Sequence, residues 1–252
     1  MIGDKAVRAP IQICCAATEQ SQLTGPGLSR NVKRCSARRT MNMSQAVIQV
    51  ILFDLGGVLV HFEGIAPLVA LCDNRLSREE ARRFWLTSPS VRRFEVGRCT
   101  ADEFAAGVVA ELRLRIASDS FLKQFASWDR GPMEGALTLL DSLKPHFLLA
   151  CLSNNNELHW SRLRDQTGLA GKFHRCYLSH EIGLMKPDRA AFDYVVHDLA
   201  VSPERILFFD DNPECVEAAR AVGINACQAC GVPEVRAILS VRGLLPMLSP
   251  SA

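Results

Sequence analysis

The sequence has no apolar run approaching the roughly 20 residues that a helical membrane span requires. Its longest apolar stretches, Ala46 to Leu52 and Phe147 to Leu152, fall far short, so the chain reads as a soluble, cytoplasmic protein with no membrane partner. It also has no excess of one charge sign. Its 29 basic and 27 acidic residues nearly cancel, which leaves neither a basic footprint for nucleic acid nor an acidic tail. No second CxxC pair and no histidine cluster accompanies Cys227 and Cys230, so a zinc or redox site there would be incomplete. The ten cysteines are spread along a chain of ordinary size, and some, such as Cys151, lie inside apolar runs; they read as reduced, buried thiols. Nor is there an internal repeat or low-complexity tract, which argues against a solenoid.

What is present is enough apolar material, 48% of 252 residues, for one substantial core. Residues 1–45 stand apart as basic and without apolar periodicity. They read as a disordered extension, and Met41 and Met43 offer later start sites; a transit peptide is the rival reading. From Ala46 to Phe53 the run AVIQVILF has the composition of a strand covered on both faces. Similar runs at Phe147–Leu152 and Arg205–Phe209 alternate with helical stretches at 133–143, 157–166, 189–199 and 214–222. This alternation predicts an α/β fold: an open parallel Rossmann-like sheet with helices on both faces.

The interval 64–129 interrupts that pattern. Ser77…Glu80 and Thr100…Glu103 are capping-box signatures that open helices, and no convincing strand is visible. The organisation read from the chain is therefore an extension over 1–45, a core over 46–63 and 130–240, a helical cap inserted over 64–129, and a tail over 241–252. An insert directly after the first strand would sit over the sheet's carboxyl edge.

Four segments at strand ends carry residues suited to chemistry: FDLGGVL at 53–59, LSNNN at 152–156, MKPD at 185–188 and FFDDN at 208–212. Asp54, at the tip of a buried strand and followed by two glycines, would set a carboxylate beside amides free to approach an anion; a turn aspartate capping the next element is the alternative. Asp210 and Asp211 offer hard oxygen ligands of the kind Mg2+ prefers, although one of them could be the N-cap of the helix after Pro213. The Ser153 hydroxyl can donate to a phosphoryl oxygen and Lys186 can supply a point charge to it; equally, Ser153 could cap a helix and Lys186 could lie on the surface. Asn154 and Asn155 are candidates to contact substrate or to shape their loop.

In order, spacing and strand context these segments resemble the four motifs of the haloacid dehalogenase superfamily. Their wording is similar to the subgroup of glucose-1-phosphate phosphatase-like proteins and epoxide hydrolase amino-terminal phosphatase domains. The resemblance implies a hydrolase, a phosphatase that acts on a small phosphorylated metabolite through an aspartyl phosphate on Asp54. It also implies Mg2+ held by Asp54, the Gly56 carbonyl, Asp210 and Asp211, with Ser153 and Lys186 binding the phosphoryl group. A monomer or homodimer is expected.

One departure stands out. Many phosphatases of the superfamily carry a second aspartate two residues after the nucleophile as general acid and base, where this chain has Gly56. His61, Glu63 and Glu95 are conceivable replacements, but each also reads as an ordinary polar loop residue, so no general acid is assigned. The segment 92–97, RRFEVG, is expected to reach the core, with Arg93 and Glu95 as substrate contacts; a solvated helix end explains the arginines as well. Two rivals share the fold: a 2-haloacid dehalogenase using the same aspartate without metal, opposed by the paired acids, and a catalytically weak binding protein, favoured by Gly56.

Overall fold

A computed structural model of the chain describes residues 47–245; the expectation for residues 1–45 and most of that for the tail lie outside them. The first strand, β1 (Val50–Phe53), is buried at every position and occupies the centre of the main sheet. It is followed by β2 (Val60–Phe62), then five helices in succession: α1 (Ile65–Leu71), α2 (Arg78–Thr87), α3 (Pro89–Glu95), α4 (Ala101–Leu112) and α5 (Ser118–Ala126). The chain returns through β3 (Asp129–Pro132) to α6 (Ala136–Leu143), β4 (Leu148–Ser153), α7 (Glu157–Gln166) and β5 (Arg175–Leu178). A single turn, α8 (Ser179–Ile182), leads to α9 (Arg189–Leu199), β6 (Ile206–Asp210), α10 (Pro213–Ala221), β7 (Asn225–Gln228) and α11 (Gly231–Val241).

The main sheet is parallel throughout, in the order β5-β4-β1-β6-β7. Because side chains alternate along a strand, β1 serves two cores. Ile51 and Phe53 pack with Leu139 and Leu143 of α6, Trp160 of α7 and Leu239 of α11. Val50 and Leu52 pack on the other face with Phe192 and Val195 of α9 and Val216 and Ala219 of α10. Burial on both faces is why β1, β4 and β6 read as unbroken apolar runs rather than as alternating ones. The helix expected from Met133 starts later, at Ala136, because Gly135 takes a left-handed conformation with φ +77 that stops the helix from extending backward.

β2 and β3 form an antiparallel ribbon, separate from the main sheet, through which the chain leaves for the five helices and comes back. These helices have a core of their own. Both capping boxes form: Ser77 Oγ accepts from the Glu80 amide while Glu80 accepts from the Ser77 amide at 2.8 Å, and Thr100 and Glu103 repeat the exchange. Pro89 occupies the first turn of α3, whose N-cap Ser88 accepts from the Val91 amide. The fully buried Phe104 ring stacks on Phe94 with centroids 4.3 Å apart and meets Phe125 at 5.0 Å and Phe121 at 5.7 Å. Among the described residues no helix is long and apolar enough to cross a membrane, and the seven described cysteines are free thiols.

Removing the central ring of that aromatic core leaves a cavity bounded by side chains from three helices. Phe104→Ala is expected to lower the free energy of unfolding by about 3–5 kcal/mol, measured as a shift in the urea midpoint.

Candidate active site

The order of the sheet decides where a site can form. The chain leaves β1 for β4 on one side and later reaches β6 on the other, so a crevice opens at the carboxyl end of β1 where the connections diverge. Register fills it with polar side chains. Phe53 pairs with Cys151 of β4 and with Phe209 of β6, which brings Asp54, Ser153 and Asp210 to one edge. The Asp54 amide continues the ladder by donating to the Phe209 carbonyl at 2.8 Å.

Lys186 enters from the loop after α8 and is 3% exposed. Its Nζ lies 2.8 Å from Asp54 Oδ1 and 2.6 Å from Asp210 Oδ2. Asn154 holds the lysine there through its main chain: Nδ2 donates to the Lys186 carbonyl and Oδ1 accepts from the Lys186 amide, both at 2.8 Å. Asn154 thus positions a neighbour, a role that its adjacency to Ser153 does not reveal. Asn155 is also tied into the loop, its amide donating to Ser179 Oγ and its Oδ1 accepting from the Asn156 amide.

The electrostatics follow from burial. Desolvation pushes the Asp54 carboxyl up to about 7, reinforced by Asp210 and Asp211 and opposed by Lys186. Asp211 is raised as well, first by burial and then by Asp210. Burial alone would pull the Lys186 ammonium down, but the Asp54 and Asp210 carboxylates outweigh it and hold it above the ordinary lysine range. One ammonium therefore faces three carboxylates.

Asp54, Asp210 and Asp211 each offer an oxygen within 4.8 Å of the others, and they are the sole such cluster of metal-ligating groups among the described residues. Oxygens sharing one Mg2+ sit about 3–4 Å apart, given Mg–O distances of about 2.0–2.1 Å, so small side-chain rotations would close the set on an ion. The capping alternative for the acids is removed by Asn212, which is the N-cap of α10 and accepts from the Glu214 amide. In the β1 loop the Gly57 amide donates to the Val60 carbonyl and the Val60 amide to the Leu55 carbonyl, bonds that leave the Gly56 carbonyl out.

A cavity of about 310 Å³ opens over these groups. The core lines it with Asp54, Ser153, Asn154, Asn155, Lys186, Asp210 and Asp211, and the helical insert with Trp85, Leu86, Arg92, Glu95 and Phe125. Arg93, expected as a substrate contact, is exposed, points its guanidinium at the Arg98 carbonyl and is absent from this lining. Positions three apart share a face of a helix and adjacent positions do not, so Arg92 and Glu95 face the cavity and Arg93 turns away. Arg92 is itself engaged, 2.5 Å from Asp188. Phe62, Trp85 and His159 also line the cavity, and no local motif marks them in the sequence. Cys227 and Cys230 lie elsewhere, Cys227 Sγ accepting from Arg242.

A family model for haloacid dehalogenase-like hydrolases matches residues 48–223. The chain belongs to this family. Among relatives of this haloacid dehalogenase-like hydrolase, a D-ribitol-5-phosphate phosphatase of Bacteroides thetaiotaomicron is 25% identical over 72% of this chain and 92% of its own length. A phosphatase of Mycobacterium tuberculosis is 27% identical over 71% and 86%. The fold is shared with a solved family enzyme from Bacteroides thetaiotaomicron, in complex with magnesium and inorganic phosphate, with TM-score 0.60 and 24% identity over 72% of this chain and 93% of that one.

The two glycines of this hydrolase differ in what they tolerate. A Cβ on Gly57 would lie 2.5 Å from Asp211 Oδ2, and its φ of +76 disfavours any side chain, whereas one on Gly56 would meet Phe62 Cβ at an ordinary 3.5 Å. Gly57→Ala is expected to displace Asp211 and weaken Mg2+ binding at least tenfold by titration calorimetry, while Gly56→Ala stays within about twofold of the parent.

Proposed function

We propose that this chain is a magnesium-dependent phosphatase of a small phosphorylated metabolite, working through a phosphoryl group carried on Asp54. The observation that carries this reading is the buried Lys186 ammonium set between Asp54 and Asp210, with Asp211 completing an acidic triad. The phosphatase names of the two sequence relatives and the magnesium and phosphate in the structural neighbour support it.

In this reading Asp54, Asp210 and Asp211 hold the cation, with the Gly56 carbonyl as a further ligand. When bound, magnesium would neutralise charge on the phosphoryl oxygens and on the triad. The protein's own groups do the rest. Lys186 binds the phosphoryl group as a fixed charge, and the Ser153 hydroxyl donates to another of its oxygens. The free Asp54 carboxylate oxygen attacks phosphorus, so that one difficult hydrolysis becomes two easier displacements. Asn154 keeps Lys186 in place through both steps.

We further propose that residues 64–129 act as a cap over the core of 46–63 and 130–240. The cavity wall it contributes sets which alcohol the phosphate is taken from. With the Arg92 guanidinium paired to Asp188 and Trp85, Leu86 and Phe125 beside it, that wall suits a leaving group with an apolar face better than a second anion.

The decisive variant is Asp54→Asn, which keeps the side chain's shape and removes the nucleophilic oxyanion. Lys186 retains Asp210 at 2.6 Å, so the fold is expected to survive with an unchanged circular dichroism spectrum. Magnesium-dependent phosphate release should fall by at least roughly 10³-fold, and hydroxylamine-labile phosphate should be found on the parent alone. A folded variant that keeps most of the parent's rate would refute the covalent route. Halide release from a 2-haloacid without added metal would instead favour the dehalogenase reading.

A further inference from the structure

We propose that Glu95, reaching in from the helical insert, hands the proton to the departing alcohol oxygen, the role left vacant by Gly56. This rests on the phosphatase reading above. Its support is what lines the cavity and what each lining group is already engaged in.

Asp54, Asp210 and Asp211 form the cluster around Lys186 and the cation site. Asp129 is 2% exposed, with Oδ1 accepting from the Gly131 amide and Oδ2 without a partner but shut off from solvent. His159 has Nε2 at the Phe125 carbonyl and Nδ1 against Asn156, and burial pulls its pKa down. The Cys215 thiol is pushed up by burial. Of the cavity-lining residues on the helices of the insert, Glu95 alone carries an acidic proton. The other two conceivable replacements do not line this cavity: His61 is exposed at a separate shallow hollow, and Glu63 pairs with Arg130 at 2.9 Å.

The placement of Glu95 is built. It ends α3, which is fastened to the core on either side of it. Arg92 pairs with Asp188, and Gly97 comes so close to the core that a Cβ there would lie 2.3 Å from the His180 carbonyl oxygen. Trp85 Nε1 donates to Glu95 Oε1 at 3.2 Å, which fixes that oxygen and leaves the other without a hydrogen-bond partner among the described residues. Burial raises the Glu95 carboxyl to about 7, against the lowering pull of the Trp85 bond, Arg92 and Lys186. Arg92 and Lys186 are both paired with carboxylates, which blunts that pull. An acid near 7 is protonated in about half of the molecules at neutral pH and can readily release its proton.

The exchange balances. As an Asp54 oxygen bonds to phosphorus, the bond from phosphorus to the ester oxygen breaks, and that oxygen takes the proton of Glu95. Water then attacks the phosphorus of the aspartyl phosphate, both its protons leaving with the phosphate, and Glu95 takes up a proton from solvent. Inorganic phosphate leaves, with Asp54 as carboxylate and Glu95 protonated again.

The test compares the full chain with Glu95→Gln, in magnesium, on acetyl phosphate, 4-nitrophenyl phosphate, phenyl phosphate and an alkyl phosphate. Good leaving groups need no proton and poor ones do. Glu95→Gln is expected to leave acetyl phosphate within about threefold and to cut phenyl and alkyl phosphate by roughly 10²- to 10³-fold in kcat. The fall in parent kcat with rising pH, centred near 7 by the raised Glu95, should vanish in the variant. Adding Gly56→Asp, whose Cβ has room beside Phe62, should recover the poor esters at least tenfold. Equal loss on every substrate, no loss on any, or an unchanged pH profile would overturn the assignment while leaving the phosphatase reading intact. A parent that releases phosphate from none of the four would overturn both.

Discussion

A single ammonium group, that of Lys186, is buried between two carboxylates, 2.8 Å from Asp54 and 2.6 Å from Asp210. Desolvating such charges costs several kcal/mol for each ion unless close partners offset it, so the ammonium is tolerable at this depth only with a carboxylate beside it. That requirement ties together parts of the chain far apart in sequence. Asp54 and Asp210 arrive on neighbouring strands in fixed register, and Lys186 arrives on a loop whose main chain is pinned by Asn154 at the end of a third strand. The sheet order and the ion cluster specify each other, because a slip of one residue in β6 would move Asp210 to the other face. The cluster also keeps an excess of negative charge, with Asp211 added, and a cation is the natural means of relieving it.

Where the sequence declared itself, the cause was burial on both faces. β1, β4 and β6 are central strands with cores above and below, so nearly every position is apolar and the run is unmistakable. β5 and β7 are edge strands of four residues, RCYL and NACQ, partly exposed and mixed in character; nothing in such a short window separates them from loop. The β2–β3 ribbon escaped for a related reason. Its β3 segment, DRGP, contains a glycine and a proline, which argue against a strand wherever the ladder is not already at an edge.

The site shows the same division. Residues that sit directly at strand ends, Asp54, Ser153 and Asp210, could be placed from the sequence because a strand's last position is readable. The insert's contribution depends on which face of a short helix meets the core, and α3 has too few residues for its period to decide this. Arg92 and Arg93 look equivalent as letters. Only the packing of α3, fixed by Phe94 inside the insert and by Gly97 against His180, makes Arg92 a core contact and Arg93 a solvent one. Asn154 illustrates the converse: its neighbourhood was legible, but its work on the Lys186 backbone spans a sequence separation of 32 residues that no local pattern encodes.

The two adjacent glycines of the β1 loop answer to different constraints, and the difference bears on how the chemistry is shared between core and insert. Gly57 is fixed by conformation and by its neighbour, since its φ is positive and Asp211 occupies the space a Cβ would take. Gly56 is held by neither: its backbone is unstrained and its Cβ direction is open as far as Phe62. Its lack of a side chain is therefore not imposed by the fold of the loop. Phe62 occupies the ground beside it, edge-on to His159, and gives the core side of the cavity an apolar surface where a carboxylate could have stood. An acid on the core would be present at all times; one on the insert is present only while α3 stays docked through Arg92, Asp188 and Gly97. With the acid on the insert, as we propose, proton transfer would be conditional on α3 staying docked against the core.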